Sequence, residues 1–256
     1  MTYAKIAVET RGAVGVIRLN DPATLNAVSA LMAEELNSAV DDLAARSRVI
    51  LLTGTGRAFS SGANLSDDPD FSDFGLGLEL YVNPLMTRLR NLPIPWISAV
   101  RGAAAGFGCS LALAADLVIA SDTAFFLQAF ARMALMPDGG SSYLLARTIG
   151  RARAMEMMLL GDRVPAAKAL DWGLISRVVP DADLDTAAFE LAERLAKGPT
   201  KTLGMIRKLA WTAIDADWPT ALKSERESQK IAGQSADCRE AVTAFVEKRV
   251  AQFMGK

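Results

Sequence analysis

The segment Val100-Arg101-Gly102-Ala103-Ala104-Ala105-Gly106-Phe107-Gly108-Cys109-Ser110 lies between two apolar runs of different character. Trp96-Ile97-Ser98-Ala99-Val100 leads in and reads as a strand, and Leu111-Ala112-Leu113-Ala114-Ala115 leads out and reads as a buried helix. The glycines Gly102, Gly106 and Gly108 let the backbone turn sharply and come close to another segment. A helix opened by such a turn presents unpaired N–H groups, for which an electron-rich oxygen is a natural guest.

Outward from this centre the chain reads as mixed α/β. Residues 6–9 and 14–19 are strand-like about an Arg11-Gly12 turn, and Asn20-Asp21-Pro22 breaks the second strand. Ser29 is a helix cap, followed by Met32, Leu36, Val40 and Leu43 at helical spacing. Val49-Ile50-Leu51-Leu52-Thr53 is a continuous apolar strand of the kind buried on both faces. Gly54-Thr55-Gly56 after it has the start of a dinucleotide fingerprint, but no third glycine and no periodic helix follow. Residues 66–77 read as an acidic surface loop, and residues 78–91 as a helix ended by Pro93 and Pro95. Residues 117–120, 124–127 and 175–179 are further strands. Helical patterns cover 152–160, 166–172, 184–196, 200–214, 219–232 and 237–253. The composition turns almost wholly helical near residue 195, which places a core domain at 1–195 and a helical region at 196–256.

The 256 residues are 51% hydrophobic with a net charge of −1, enough for a large core and without the charge blocks of a nucleic-acid or membrane-surface protein. No apolar run reaches membrane-spanning length, the N-terminus carries no secretory signal pattern, and Cys109 and Cys238 lack metal-type spacing. A cytoplasmic protein without a metal is expected. No histidine is present, which removes every Ser-His or Cys-His pair and leaves acid–base work to carboxylates, Lys, Tyr, Cys or water.

Three segments taken together resemble the enoyl-CoA hydratase/isomerase (crotonase) superfamily. They are residues 54–65 (GTGRAFSSGANL), residues 99–120 with their glycine turn, and residues 135–150 with Ala169-Leu170-Asp171-Trp172-Gly173-Leu174-Ile175. The resemblance covers essentially the whole chain. It implies an α/β fold, a crotonase-like spiral of ββα units with a C-terminal helical region, and a homotrimer or dimer of trimers. It also implies an acyl-CoA thioester as substrate, with coenzyme A as part of that substrate and no tightly bound cofactor. The backbone N–H groups of Ala63 and Phe107 would hold the thioester oxygen as it becomes an enolate. For the coenzyme A side it implies Ala23, Ala27, Ser61, Asn64 and Leu65, with Phe130 in the pocket. Phe245 would lie near the adenine and Lys248 near a phosphate, reaching in from a neighbouring subunit. Ala23 stands where the family often has a basic residue.

The base is where the sequence departs from the hydratases. The two positions that carry glutamates in them are Ser110 and Phe130 here. Asp138 matches the turn that carries a carboxylate in isomerase branches, and a single base suffices to move a double bond. Leu135, Met136 and Phe130 would raise its pKa and a helix N-terminus would lower it. A plain helix-capping role for Asp138 is the alternative. Two other readings stay open: a hydratase using Asp67, Asp68, Asp70, Asp73 or Glu79 of the acidic loop, and a catalytically silent binding protein. A dehalogenase-like reading of Asp138 as nucleophile fits the local segment but lacks its histidine.

Overall fold

The computed structural model describes residues 3–65 and 72–256. The core is a six-stranded sheet in the order β1 (Ile6–Arg11), β2 (Val14–Leu19), β3 (Val49–Gly54), β4 (Trp96–Val100), β6 (Leu117–Ser121) and β9 (Arg177–Val179). Within it β1 and β2 are antiparallel and the remaining pairs parallel. A second sheet joins β5 (Ala103–Ala105), β7 (Phe125–Leu127) and β8 (Val164–Pro165), and a bridge between Ser60 and Ala104 extends it. The chain visits the two sheets in alternation, β3 then Ser60, β4 then β5, β6 then β7. This is the spiral of repeated units expected from the resemblance.

Alternation along the strands explains their unbroken apolar runs. Ile17, Leu19, Ile50 and Leu52 face a cluster with α1 (Ala30–Arg46), α2 (Asn83–Arg90) and α3 (Phe107–Leu113), while Val14, Val16, Val49 and Leu51 face α7 (Leu184–Ala196). Helix α7 meets the sheet through Leu184, Ala188, Ala192 and Ala196, a four-residue spacing that keeps one narrow stripe inward. Ser29 caps α1 by accepting from Met32 N at 3.2 Å, and Met32, Leu36, Val40 and Leu43 are buried as their spacing requires.

Between β7 and β8 lie α4 (Ser141–Thr148) and α5 (Gly150–Leu160), and α6 (Ala166–Asp171) follows β8. After α7 come α8 (Thr200–Asp215), α9 (Trp218–Gly233) and α10 (Ala236–Glu247). Two helix expectations need correction. Residues 78–90 form a helix, but its first turn, Leu78–Val82, is a π-turn. The final helix stops at Glu247 instead of running to residue 253. Lys248 takes φ 56°, and Arg249 reaches back to the Glu240 carboxylate at 2.6 Å. Beyond it, Met254 and Gly255 N–H donate to Asp237, and Arg48 binds the carbonyl of Phe253, so the tail folds back on the chain. Among the described residues no helix is long and apolar enough to cross a membrane.

Candidate active site

The segments that follow β3, β5 and β7 converge, at the carboxyl ends of parallel strands where sites are usual. The first loop is held by pairing with residues 25–28. Ser61 N donates to Leu25 O, Val28 N to Gly62 O and Asn64 N to Val28 O, at 2.7–3.0 Å. In a parallel bridge of this register the residue between Gly62 and Asn64 turns its own N–H the other way. Ala63 is that residue, and its N–H donates to nothing among the described residues.

The second loop places Gly106 beside Gly62. A Cβ at Gly62 would lie 3.0 Å from Ala105 O and 3.6 Å from the Gly106 Cα, so the two turns touch backbone to backbone. Gly106 has φ 51° and ψ −127°, a conformation that only glycine adopts without strain, and it caps α3. Phe107 is the first residue of α3, so its N–H is one of the orphan donors of a helix start. Its ring, 1% exposed, goes into the core, which accommodates a side chain where only the backbone serves the site.

The third loop brings Phe130 and Asp138. Phe130, buried, sits over the turn, with its Cζ 3.9 Å from a Cβ built on Gly106. Asp138 lies in the turn before α4. Its backbone carbonyl accepts from Ser141 N, Ser141 Oγ and Ser110 Oγ at 2.9–3.0 Å. Among the described residues its carboxyl has no hydrogen bond, and Oδ1 is buried without a partner. Burial alone pushes this carboxyl up from its ordinary 3.8 to about 7. Helix α4 is capped by Gly140 with no side-chain bond, so capping is not what Asp138 does. Met136 is 81% exposed and therefore not among the groups that bury the carboxyl. Burial pushes the neighbouring Cys109 thiol up to about 12, which removes it as a proton carrier near neutral pH.

The remaining expected residues fall in two places. Ala23, Ala27, Ser61, Asn64 and Leu65 line or adjoin the paired 22–28 and 61–65 segments, with Ser61 Oγ donating to Thr24 O at 2.9 Å. Phe245 and Lys248 lie on and just after α10, which packs on α9, and the fold does not bring them to Ala63 and Phe107 within one chain. Phe245 is 85% exposed. Asp67, Asp68 and Asp70 lie outside the described residues, and Asp73 and Glu79 are exposed. Two residues escaped the sequence reading. Buried Asn26, at φ 58°, bonds Thr55 O, Ala58 O and Asp21 N and so locks the 21–27 loop to the glycine loop. Arg57, exposed, follows Gly56, which packs on Pro22. Its place in the quoted motif was the available signal. No group of three metal-ligating side chains occurs among the described residues.

A two-sheet spiral of this topology, followed by a helical region, defines a crotonase-fold protein. The enoyl-CoA hydratase/isomerase family model matches residues 9–256, and the chain belongs to that family. It is 43% identical to the 1,2-epoxyphenylacetyl-CoA isomerase of Escherichia coli K12, covering 95% of each chain. It is 41% identical to a probable enoyl-CoA hydratase of Rhodobacter capsulatus, covering 100% of each. The trans-2-decenoyl-[acyl-carrier-protein] isomerase of Streptococcus mutans is 31% identical over the whole of both chains. The crystal structure of an enoyl-CoA hydratase subunit from Geobacillus kaustophilus superposes with a TM-score of 0.92 at 36% identity, covering 99% of each chain. The family acts on CoA thioesters.

Proposed function

We propose that this chain is an enoyl-CoA isomerase that moves a double bond, or carries out a related ring isomerisation, through a thioester enolate with Asp138 as its single base. The observation that carries this reading is the half-buried Asp138 carboxyl, its Oδ1 fully buried without a partner and its pKa raised to about 7, while residues 110 and 130 carry no carboxylate. Relatives named isomerases support this reading, alongside others named hydratases.

On a 3-enoyl-CoA, ionised Asp138 takes a proton from C2. The C2–H electrons form a C1–C2 double bond and the carbonyl π electrons move onto the thioester oxygen. The N–H groups of Ala63 and Phe107 hold that oxygen. Backbone donors are aimed before charge develops, and each is typically worth roughly 3–4 kcal/mol of barrier. Protonated Asp138 then returns the proton to C4. Only as the C3–C4 electrons take it up and the carbonyl is restored does the C2–C3 double bond form, which yields the 2-enoyl thioester and restores the carboxylate. A base near pKa 7 suits both directions of transfer at neutral pH. Phe130 keeps the carboxyl side of the pocket apolar. Coenzyme A lies along residues 23–27 and 61–65, and Arg57 supplies the phosphate cation that Ala23 does not.

Residues 196–256 serve oligomerisation in this reading. Helix α9 has no buried residue, Val242, Phe245 and Val246 of α10 stand exposed, and a cleft of about 510 Å³ between α8 and α9 is lined by Met205, Ile206, Leu209 and Leu222. Copies in a trimer or dimer of trimers would cover these faces and bring Lys248 of a neighbour to the site. The test is Asp138→Asn assayed on a 3-enoyl-CoA and on the ring epoxide of phenylacetyl-CoA, with products followed by NMR. A loss of about 10²-fold or more is expected, and unchanged isomerisation would sink the assignment.

A further inference from the structure

Ser110 stands where a hydratase of this family carries a glutamate, yet it is wholly buried and its hydroxyl is engaged. It donates to the Asp138 carbonyl at 2.9 Å, with a longer 3.4 Å approach to Gly106 O one helical turn back. The other donors to that carbonyl, Ser141 N and Oγ, belong to Asp138's own turn. The Ser110 bond is thus the hydrogen bond, among the described residues, that joins the Asp138 turn to α3, the helix opened by the Phe107 N–H. Packing runs the same way. Gly139 has φ 57°, and a Cβ there would lie 2.9 Å from both the Phe107 ring and the Ser110 Cβ. The turn lies directly on residues 107 and 110, with no space for a side chain at Gly139.

Resting on the reading of Asp138 as the base, we infer that Ser110 is a positioning residue whose hydroxyl and small size together seat the Asp138 turn against the helix that supplies the Phe107 oxyanion donor. The reaction explains why the seat matters. The carbon that loses the proton is bonded to the carbonyl carbon whose oxygen Phe107 holds, so base and donor must keep one spacing. A misplacement of about 1 Å costs on the order of 10²-fold in rate. A glutamate at 110 would fill the space of the Asp138 carbonyl and Gly139, so this chain carries its carboxylate at one position or the other, not both.

The test compares Ser110→Ala, Ser110→Cys, Ser110→Glu, Ser141→Ala and Asp138→Asn as purified full-length proteins on one 3-enoyl-CoA, with circular dichroism melting as a folding check. Ser110→Ala leaves the Asp138 carbonyl both Ser141 donors, so it strands no buried acceptor, and Ser110→Cys keeps the volume with a poor donor. Both should lose about 10- to 100-fold in kcat with KM changed less than about threefold. Their ascending pH limb should move to lower pH as the loosened turn admits water to the carboxyl. Ser141→Ala, which removes a bond to the same carbonyl from within the turn, should lose less than either. Ser110→Glu should lose isomerisation without gaining hydration. Parent-like kcat and an unmoved pH limb in Ser110→Ala and Ser110→Cys, with Asp138→Asn inactive, would overturn the positioning role alone. An active Asp138→Asn would overturn the base assignment and this inference with it.

Discussion

Asp138 shows how one residue's chemistry follows from where its carboxyl is buried. Its pKa rises to about 7 by desolvation, so the carboxyl is mostly ionised only above that pH. The expected kcat/KM profile therefore falls about tenfold per pH unit below pH 7 and levels above it, which stopped-flow or coupled assays across pH 5–9 would show. The stability consequence has the opposite sense. Between about pH 4 and pH 7 the folded chain keeps this proton and the unfolded chain has released it, so stability falls as pH rises through that window. Asp138→Asn removes the fall and should be the more stable protein above pH 8 by about 2–4 kcal/mol in urea unfolding. Gly106 carries a separate prediction. A Cβ there meets nothing closer than 3.7 Å, so Gly106→Ala suffers from its φ of 51° and not from a clash. It should cost about 1–3 kcal/mol of stability and lower kcat more than it raises KM, because it re-aims the Phe107 N–H.

At the scale of elements, the loops matter more than the strands they join. The 21–27 loop holds two consecutive residues at positive φ, Leu25 and Asn26, and only Asn26 has the polar side chain that bonds around such a turn. Asn26→Ala removes its three side-chain bonds at once. A stability loss of about 2–4 kcal/mol is expected, with weaker binding of CoA thioesters because the 61–65 segment loses its support. Calorimetry of the melt and of thioester binding would check both. The glycine turns that place Ala63 and Phe107 were legible in the sequence because their requirement is local: a sharp turn and a close approach show in residue type. The role of Ser110 was not, since its partner is 28 residues away and their meeting depends on the path of the third loop. Nor was the end of α10, where a Lys248 turn and the Arg249–Glu240 pair outweigh helical periodicity.

Across the whole molecule, α8 is fastened to the sheet by a buried charge. Arg207, 6% exposed, binds both oxygens of Asp116 and the carbonyls of Leu89 and Arg90, while Asp116 also accepts from the first N–H of β4. One guanidinium thereby ends α2, anchors β4 and docks the helical region. Gly204 makes the approach possible, since a Cβ there would fall 1.9 Å from Pro93 O. Arg207→Ala should lose about 3–5 kcal/mol in chemical denaturation because it leaves a buried carboxylate unpaired.

By itself the sequence determined the strands and helices, the glycine turns at Gly62 and Gly106 and the lack of a carboxylate at residues 110 and 130. Each of these depends on residue type and near-neighbour spacing, which a chain carries locally. Only the tertiary structure decided that Asp138 Oδ1 is buried without a partner, that Ser110 bonds the Asp138 carbonyl, and that the tail returns to Arg48 and Asp237. Burial and hydrogen-bond partnership are set by which distant segments meet, and so is the raised pKa of this carboxyl.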